Sequence, residues 1–167
     1  DLHFGDVRTF LNGKAASTIN ELINEPQITS ENITKYLQKG KGFDYLAAPK
    51  KTELAELVRP QNVNSILWSL QAIYDFVIVD LKAEIDDVTI NTWEVSNLIY
   101  LVAEPEIGHL LAARQVVEIM NQFKYPDTKF KVLVNKVGRE GTVDKDEMGK
   151  FLKKEITTLP YAPADAI

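Results

Sequence analysis

The chain has 167 residues, enough for one domain with a real core. Hydrophobic residues make up 45% and charged residues 26%, with 8 Gly and 7 Pro, a globular balance that excludes low-complexity and disordered classes. A net charge of −5 argues against nucleic acid or anionic lipid as a bulk-charge partner, and the lack of cysteine excludes a disulfide framework, a thiolate metal site and a cysteine nucleophile.

In chain order, residues 17–38 predict two short helices, around Ile19–Ile23 and Asn32–Leu37. A weak strand, Phe43–Ala48, follows the Gly40-Lys41-Gly42 turn and closes at Pro49. Lys35, Lys39, Lys41, Lys50 and Lys51 make this stretch locally basic and read as a solvated loop flanking an edge strand. Pro60 suits a first helical position, and Val63, Ile66, Leu67, Leu70 and Ile73 then recur on one helical face. Phe76–Val79 is a continuous apolar run ending in Asp80, and it predicts a strand buried on both faces. Segment 86–96 is a weaker helix, because Val88, Thr89, Ile90 and Thr92 are β-branched. Leu98–Val102 predicts the next strand, ending in Ala103-Glu104-Pro105. A helix within 107–123 follows, with Leu110, Ala113, Val117 and Met120 on one face. The strand Phe130–Val134 runs into Asn135-Lys136. Asp144 and Asp146 open a helix and Lys150, Lys153 and Lys154 close it, matching the helix dipole. Ile156–Leu159 is the last strand and ends in Pro160-Tyr161.

Strand and helix alternate, and each crossover is long enough to return parallel. The fold class is therefore α/β, a mostly parallel sheet with helices on both faces. No repeat or linker interrupts residues 1–167, which read as one domain. The chain opens at Asp1 without Met and stops just after a strand, so it is expected to be cut at both ends from something longer. No apolar run reaches the ~20 residues that a bilayer span needs, and the expected location is the cytoplasm.

Ligands of such sheets bind outside the carboxyl ends of the strands. The residues there are Asp80, Glu104, Asn135 with Lys136, and Pro160 with Tyr161. An aspartate that closes a buried apolar strand fits a Walker B position, where its carboxylate meets a nucleotide's Mg²⁺ directly or through water. The plainer reading of Asp80 is a turn or cap residue. An Asn amide can donate to and accept from a purine edge, and a Lys stem can lie along a base. The guanine-reading version of that motif continues to an Asp two residues after the Lys, where this chain has Gly138. A phosphate loop is not visible: the single Gly-Lys pair, Gly13-Lys14, has Arg8 where the loop needs Gly and Ala15 where it needs Ser or Thr. His3 and His109 lie far apart and lack ligand spacing, so zinc is not expected.

Several motifs stand in a recognisable order: Asp1-Leu-His-Phe-Gly-Asp6, Gly42–Pro49, Tyr74–Leu81, Leu101–Pro105, Ala112-Ala113-Arg114, Val134–Arg139 and Leu159-Pro160-Tyr161. Together they resemble the CpaE/TadZ branch of the ParA/MinD deviant-Walker-A P-loop ATPases over nearly the whole chain. The resemblance implies a three-layer P-loop fold whose first strand, phosphate loop and following helix lie upstream of Asp1. It also implies ATP and Mg²⁺ as cofactors, a homodimer closed around two ATP molecules, and no specific nucleic-acid partner. The implied role is to place a Flp/Tad-type pilus or secretion apparatus, in the cytoplasm or at the cytoplasmic face of the membrane or a cell pole.

Carried over by position, Asp1 matches the second Asp of the family's Asp-x-Asp, which faces the attacking water and Mg²⁺. Asp80 matches the Walker B Asp. Asn135 matches the adenine-contacting Asn, followed by Lys136, with Pro160 and Tyr161 in the loop that closes over the base. Lys82 stands near where relatives have Pro. Two other functions remain open: a nucleotide-independent scaffold of the same fold that docks partners or dimerises, and a septum-site or chromosome-partitioning ATPase.

Overall fold

Local chemistry along the chain sets where elements start, and the pairing of apolar faces decides which of them are built into layers. The computed structural model describes residues 1–3, 17–139 and 142–162. The Gly13-Lys14 pair and the Phe4-Gly5-Asp6 stretch lie outside the described residues. The chain divides into two units, Asp1–Val95 and Ser96–Ile167.

In the first unit, helix α1 (Ile19–Leu22) starts where the Glu21 carboxylate accepts from the Thr18 N–H at 2.7 Å. Helix α2 (Ser30–Ile33) starts with the same reciprocal bonding between Thr29 and Asn32. The expected helix ends short of Leu37. Strand β1 (Leu37–Lys39) instead pairs antiparallel with β2 (Asp44–Leu46) across the glycine turn, where Gly42 has φ 84°. A 3₁₀ turn, Thr52–Leu57, leads to helix α3 (Pro60–Gln71), which has Pro60 in its first turn. Asp86 accepts from the Thr89 N–H at 2.8 Å and so opens helix α4 (Asp87–Val95), despite its β-branched residues. The core of this unit is Leu22, Ile33, Val58, Val63, Ile66 and Leu67, with Leu46, Leu70 and Val77 packed against it.

One expected strand is missing from the ladders. Phe76–Asp80 forms no sheet pair among the described residues, and Phe76 and Ile78 are 88% and 94% exposed. The apolar run is there, but a strand also needs a neighbour that takes its N–H and C=O groups and covers its side chains.

The second unit is a parallel sheet in the order β3-β4-β5, built from β3 (Ile99–Ala103), β4 (Phe130–Val137) and β5 (Ile156–Pro160). Helix α5 (Ile107–Gln122) connects the first two strands and α6 (Lys145–Leu152) the last two. Successive steps in one direction put both crossover helices on one face of the sheet, and α5 and α6 are in contact. Phe130, Val132 and Val134 are at most 1% exposed, and Leu110, Val117, Met120, Met148 and Leu152 of the two helices are buried as well. Tyr100, Val102 and Leu159, which alternate with the buried strand residues on the opposite face, are exposed. Covering helices are therefore present on one face of the three strands. No helix among the described residues is long and apolar enough to cross a membrane.

Candidate functional site

The main chains of Asp1 and Asp80 touch in the first unit although 79 positions separate them, while the two carboxylates face different partners. The Asp1 amino nitrogen donates to the main-chain carbonyl of Asp80 and lies 3.9 Å from its Oδ2. The Asp1 carboxylate turns back to accept from the His3 N–H at 2.8 Å, and His3 Nε2 lies 3.4 Å from Glu56 Oε1. The Asp80 carboxylate is 64% exposed and so is open to a ligand.

Beyond Asp80 the loop is held by Lys82, whose ammonium lies 2.9 Å from Asp86 and 3.1 Å from Glu84. The hydrogen bond to Asp86 is the main reason that the Lys82 pKa is raised, against the cost of desolvation. Burial pushes the Asp86 carboxyl up, but the Thr89 N–H and Lys82 together outweigh it and hold the pKa below its ordinary value. A proline at position 82 could make none of these contacts.

Beside this loop, a cavity of about 1210 Å³ opens within the same unit, lined by Leu46, Ile66, Leu70, Val77, Val79 and Asp80 among others. It is larger than the roughly 300–1,000 Å³ of ordinary ligand pockets, and mostly apolar.

The second cluster lies at the carboxyl end of the parallel sheet. β4 continues past Val134 to Val137, further than its apolar run suggests. Between Val134 and Val137 it advances three residues while β5 advances two, from Thr158 to Pro160, so β4 carries one extra residue, a β-bulge. The bulge falls on Asn135-Lys136. Lys136 has φ 60°, a left-handed conformation that costs a residue with a side chain about 1 kcal/mol.

Three contacts hold it there. The Lys136 N–H donates to Asn135 Oδ1 at 2.9 Å. Lys136 Nζ donates to Glu104 Oε1, at the end of the neighbouring strand β3, at 2.6 Å. The Tyr161 N–H donates to the Val137 carbonyl at 2.9 Å, which continues the β4–β5 contact past Pro160. The Lys136 ammonium is the main reason that the Glu104 carboxyl stays below its usual range. Arg139 lies 5.9 Å from the centre of the Tyr161 ring.

The structure thus brings Asn135, Lys136, Pro160 and Tyr161 to one sheet edge, joined by Glu104, expected at that edge without a stated role, and by Arg139, for which no role was expected. The signal for Glu104 was available. It ends a strand whose last residue, Ala103, is in register with Val134, one position before the bulge.

No family model matches the chain. It is 23% identical over 143 residues to the septum site-determining protein MinD of Thermotoga maritima, covering 86% of this chain and 52% of that protein. The chain therefore spans about half the length of the curated relative it matches. A ParA family ATPase from Chlorobium tepidum superposes with a TM-score of 0.82 at 21% identity, over 94% of this chain and 66% of that one. MinD from Pyrococcus horikoshii, solved as a complex with Mg-ADP, superposes with a TM-score of 0.76 at 15% identity, over 98% and 67%. The fold is that of the ParA and MinD ATPases: α/β, with the parallel three-stranded sheet and its helices.

Proposed function

We propose that this chain is the greater part of the ATPase domain of a ParA/MinD-type positioning protein, and that the intact protein acts on a Flp/Tad-type pilus or secretion apparatus. The observation that carries the reading is the sheet edge of the second unit, where Glu104, Asn135, Lys136, Pro160 and Tyr161 gather at the carboxyl ends of parallel strands, the edge where open α/β sheets take ligands. Asp80, which closes the apolar run of the first unit with its carboxylate exposed, supports it independently.

In this reading Asp80 holds Mg²⁺. The fit is chemical: an exposed hard carboxylate suits Mg²⁺, which takes one or two carboxylates and completes its shell with phosphate and water. No cluster of three His, Asp or Glu side chains occurs among the described residues to form an all-protein cage. When bound, the metal neutralises charge on the transferred phosphoryl group. Asp1 orients the attacking water, Asn135 contacts the adenine ring, and Pro160 and Tyr161 close over it. The protein's contribution is mainly position and charge.

The bare run Phe76–Asp80 and the apolar cavity beneath it support the expectation that a further strand, loop and helix complete the domain upstream. The homodimer, the cytoplasmic location and peripheral membrane association belong to the same proposal. The MinD relative keeps a septum-site role beside the pilus role, and the exposed Phe76, Ile78, Tyr100 and Val102 suit a docking scaffold.

The test is ATP hydrolysis by the intact protein. Asp80→Ala is expected to abolish Mg²⁺-dependent turnover, and unchanged turnover overturns its role at the metal. Residues 1–167 alone are expected to bind ATP poorly, for want of a backbone amide cradle for the phosphates. Tight Mg²⁺-dependent binding in calorimetry refutes that. An intact protein that neither binds nor hydrolyses ATP favours the scaffold.

A further inference from the structure

A residue with a side chain persists in the left-handed region only where its surroundings hold it there, and such positions cluster at ligand contacts. Lys136 is held from both ends, by Asn135 Oδ1 on its N–H and by Glu104 on its ammonium. The first bond has a chemical consequence. A main-chain N–H can bond only the oxygen of a carboxamide, so the acceptor of Asn135 faces its own backbone, and the amide nitrogen is the end left for a ligand. Among the described residues that nitrogen bonds no other group. The side chain therefore presents a donor, and an acceptor on a purine ring, such as N7, is the partner it suits.

From this we infer that Glu104 is a positioning residue for base binding: through its ion pair with Lys136 it locks the bulge that aims Asn135 as a hydrogen-bond donor. The inference rests on the nucleotide reading above and adds a residue and a polarity to it. Glu104 touches no base. It acts by fixing Lys136, and it comes from a different strand than the residues it sets.

The experiment is a titration of the intact protein with ATP and with 7-deaza-ATP, in which a carbon replaces N7. The wild type is expected to bind ATP about five- to tenfold more tightly than the deaza analogue, the value of one hydrogen bond. Asn135→Ala removes that preference directly. Glu104→Gln is expected to reduce it to less than about twofold, because a neutral amide no longer anchors the ammonium. Lys136→Met breaks the same pair from the other side and must do likewise, so the outcome does not depend on one variant folding. The exchange Glu104→Lys with Lys136→Glu is expected to restore the preference, which a merely structural role would not predict.

A Glu104→Gln protein that keeps the full preference overturns the inference, and so does a wild type that binds both nucleotides equally. A wild type that binds neither overturns the nucleotide reading itself.

Discussion

Phe76–Asp80 and the first part of β4, Phe130–Asn135, are alike as strings of residues: each opens on Phe, is otherwise apolar apart from Lys131, and runs into a polar group suited to a ligand. In the structure they are opposites. Phe130, Val132 and Val134 are almost wholly buried, with parallel neighbours on both sides, whereas Phe76 and Ile78 are almost wholly exposed and the run forms no sheet ladder among the described residues. An apolar run qualifies as a strand through its own residues, but it becomes one through backbone groups that belong to other segments. The contrast also separates two kinds of site. The residues in the last part of β4 are held by a ladder and an ion pair, while Asp80 is held through its backbone carbonyl and the loop around Lys82.

That contrast can be broken by substitution. Placing a charge in the middle of each run gives the largest difference. Val132→Asp buries an unpaired carboxylate and is expected to cost more than about 4 kcal/mol, enough to unfold the second unit. Ile78→Asp in the same chain is expected to stay within about 0.5 kcal/mol, as an exposed substitution does. Urea denaturation followed by circular dichroism measures both, and a cost above about 2 kcal/mol for Ile78→Asp would show that the run has a partner in solution.

Next comes truncation of the leading aromatic. Phe130→Ala is expected to lose about 3–5 kcal/mol and Phe76→Ala about 0.5 or less. Equal losses would abolish the distinction between the two runs.

The smallest effect sharpens the comparison at the point where the bare run is tethered. Tyr74 donates its hydroxyl to Asp44, which also accepts from Lys39 at 2.7 Å. The bond to Asp44 pushes the Tyr74 pKa up to about 12 from its ordinary 10.0. Because the folded value is raised, this contribution is complete below pH 10 and is lost as pH rises through about 12. Asp44 has the opposite sign: Lys39 first and Tyr74 second hold it low, so its contribution is present above the ordinary carboxylate value and fades as pH falls through the lower folded one. Tyr74→Phe is expected to cost about 1 kcal/mol at neutral pH and to flatten the alkaline part of the Tm profile. Wild-type and variant profiles with the same slope between pH 10 and 12 would mean that the bond does not form in solution.

Much of this was legible from residue order. The α3 stripe from Pro60, the α5 stripe and the acidic start of α6 repeat with the helical period, and periodicity is local information. The parallel sheet of the second unit followed from crossover length. The β1–β2 hairpin was half legible: the glycine turn was clear, but Leu37–Lys39 is too short and too polar to announce itself before it pairs.

At the site, strand ends could be read because side chains at the end of a buried run have to leave the core. The bulge at Asn135-Lys136 could not, because an extra residue is defined only against the strand opposite. Nor could the Glu104–Lys136 pair, which joins residues 32 positions apart.

The amino-acid order alone thus determined the α/β class, the helix faces and the polar residues that end the strands, since each depends on neighbours a few positions away. The tertiary structure decided which apolar runs are strands, which carboxylate meets which cation and where β4 carries its extra residue. All three depend on hydrogen-bonding partners that the chain brings from far along its length.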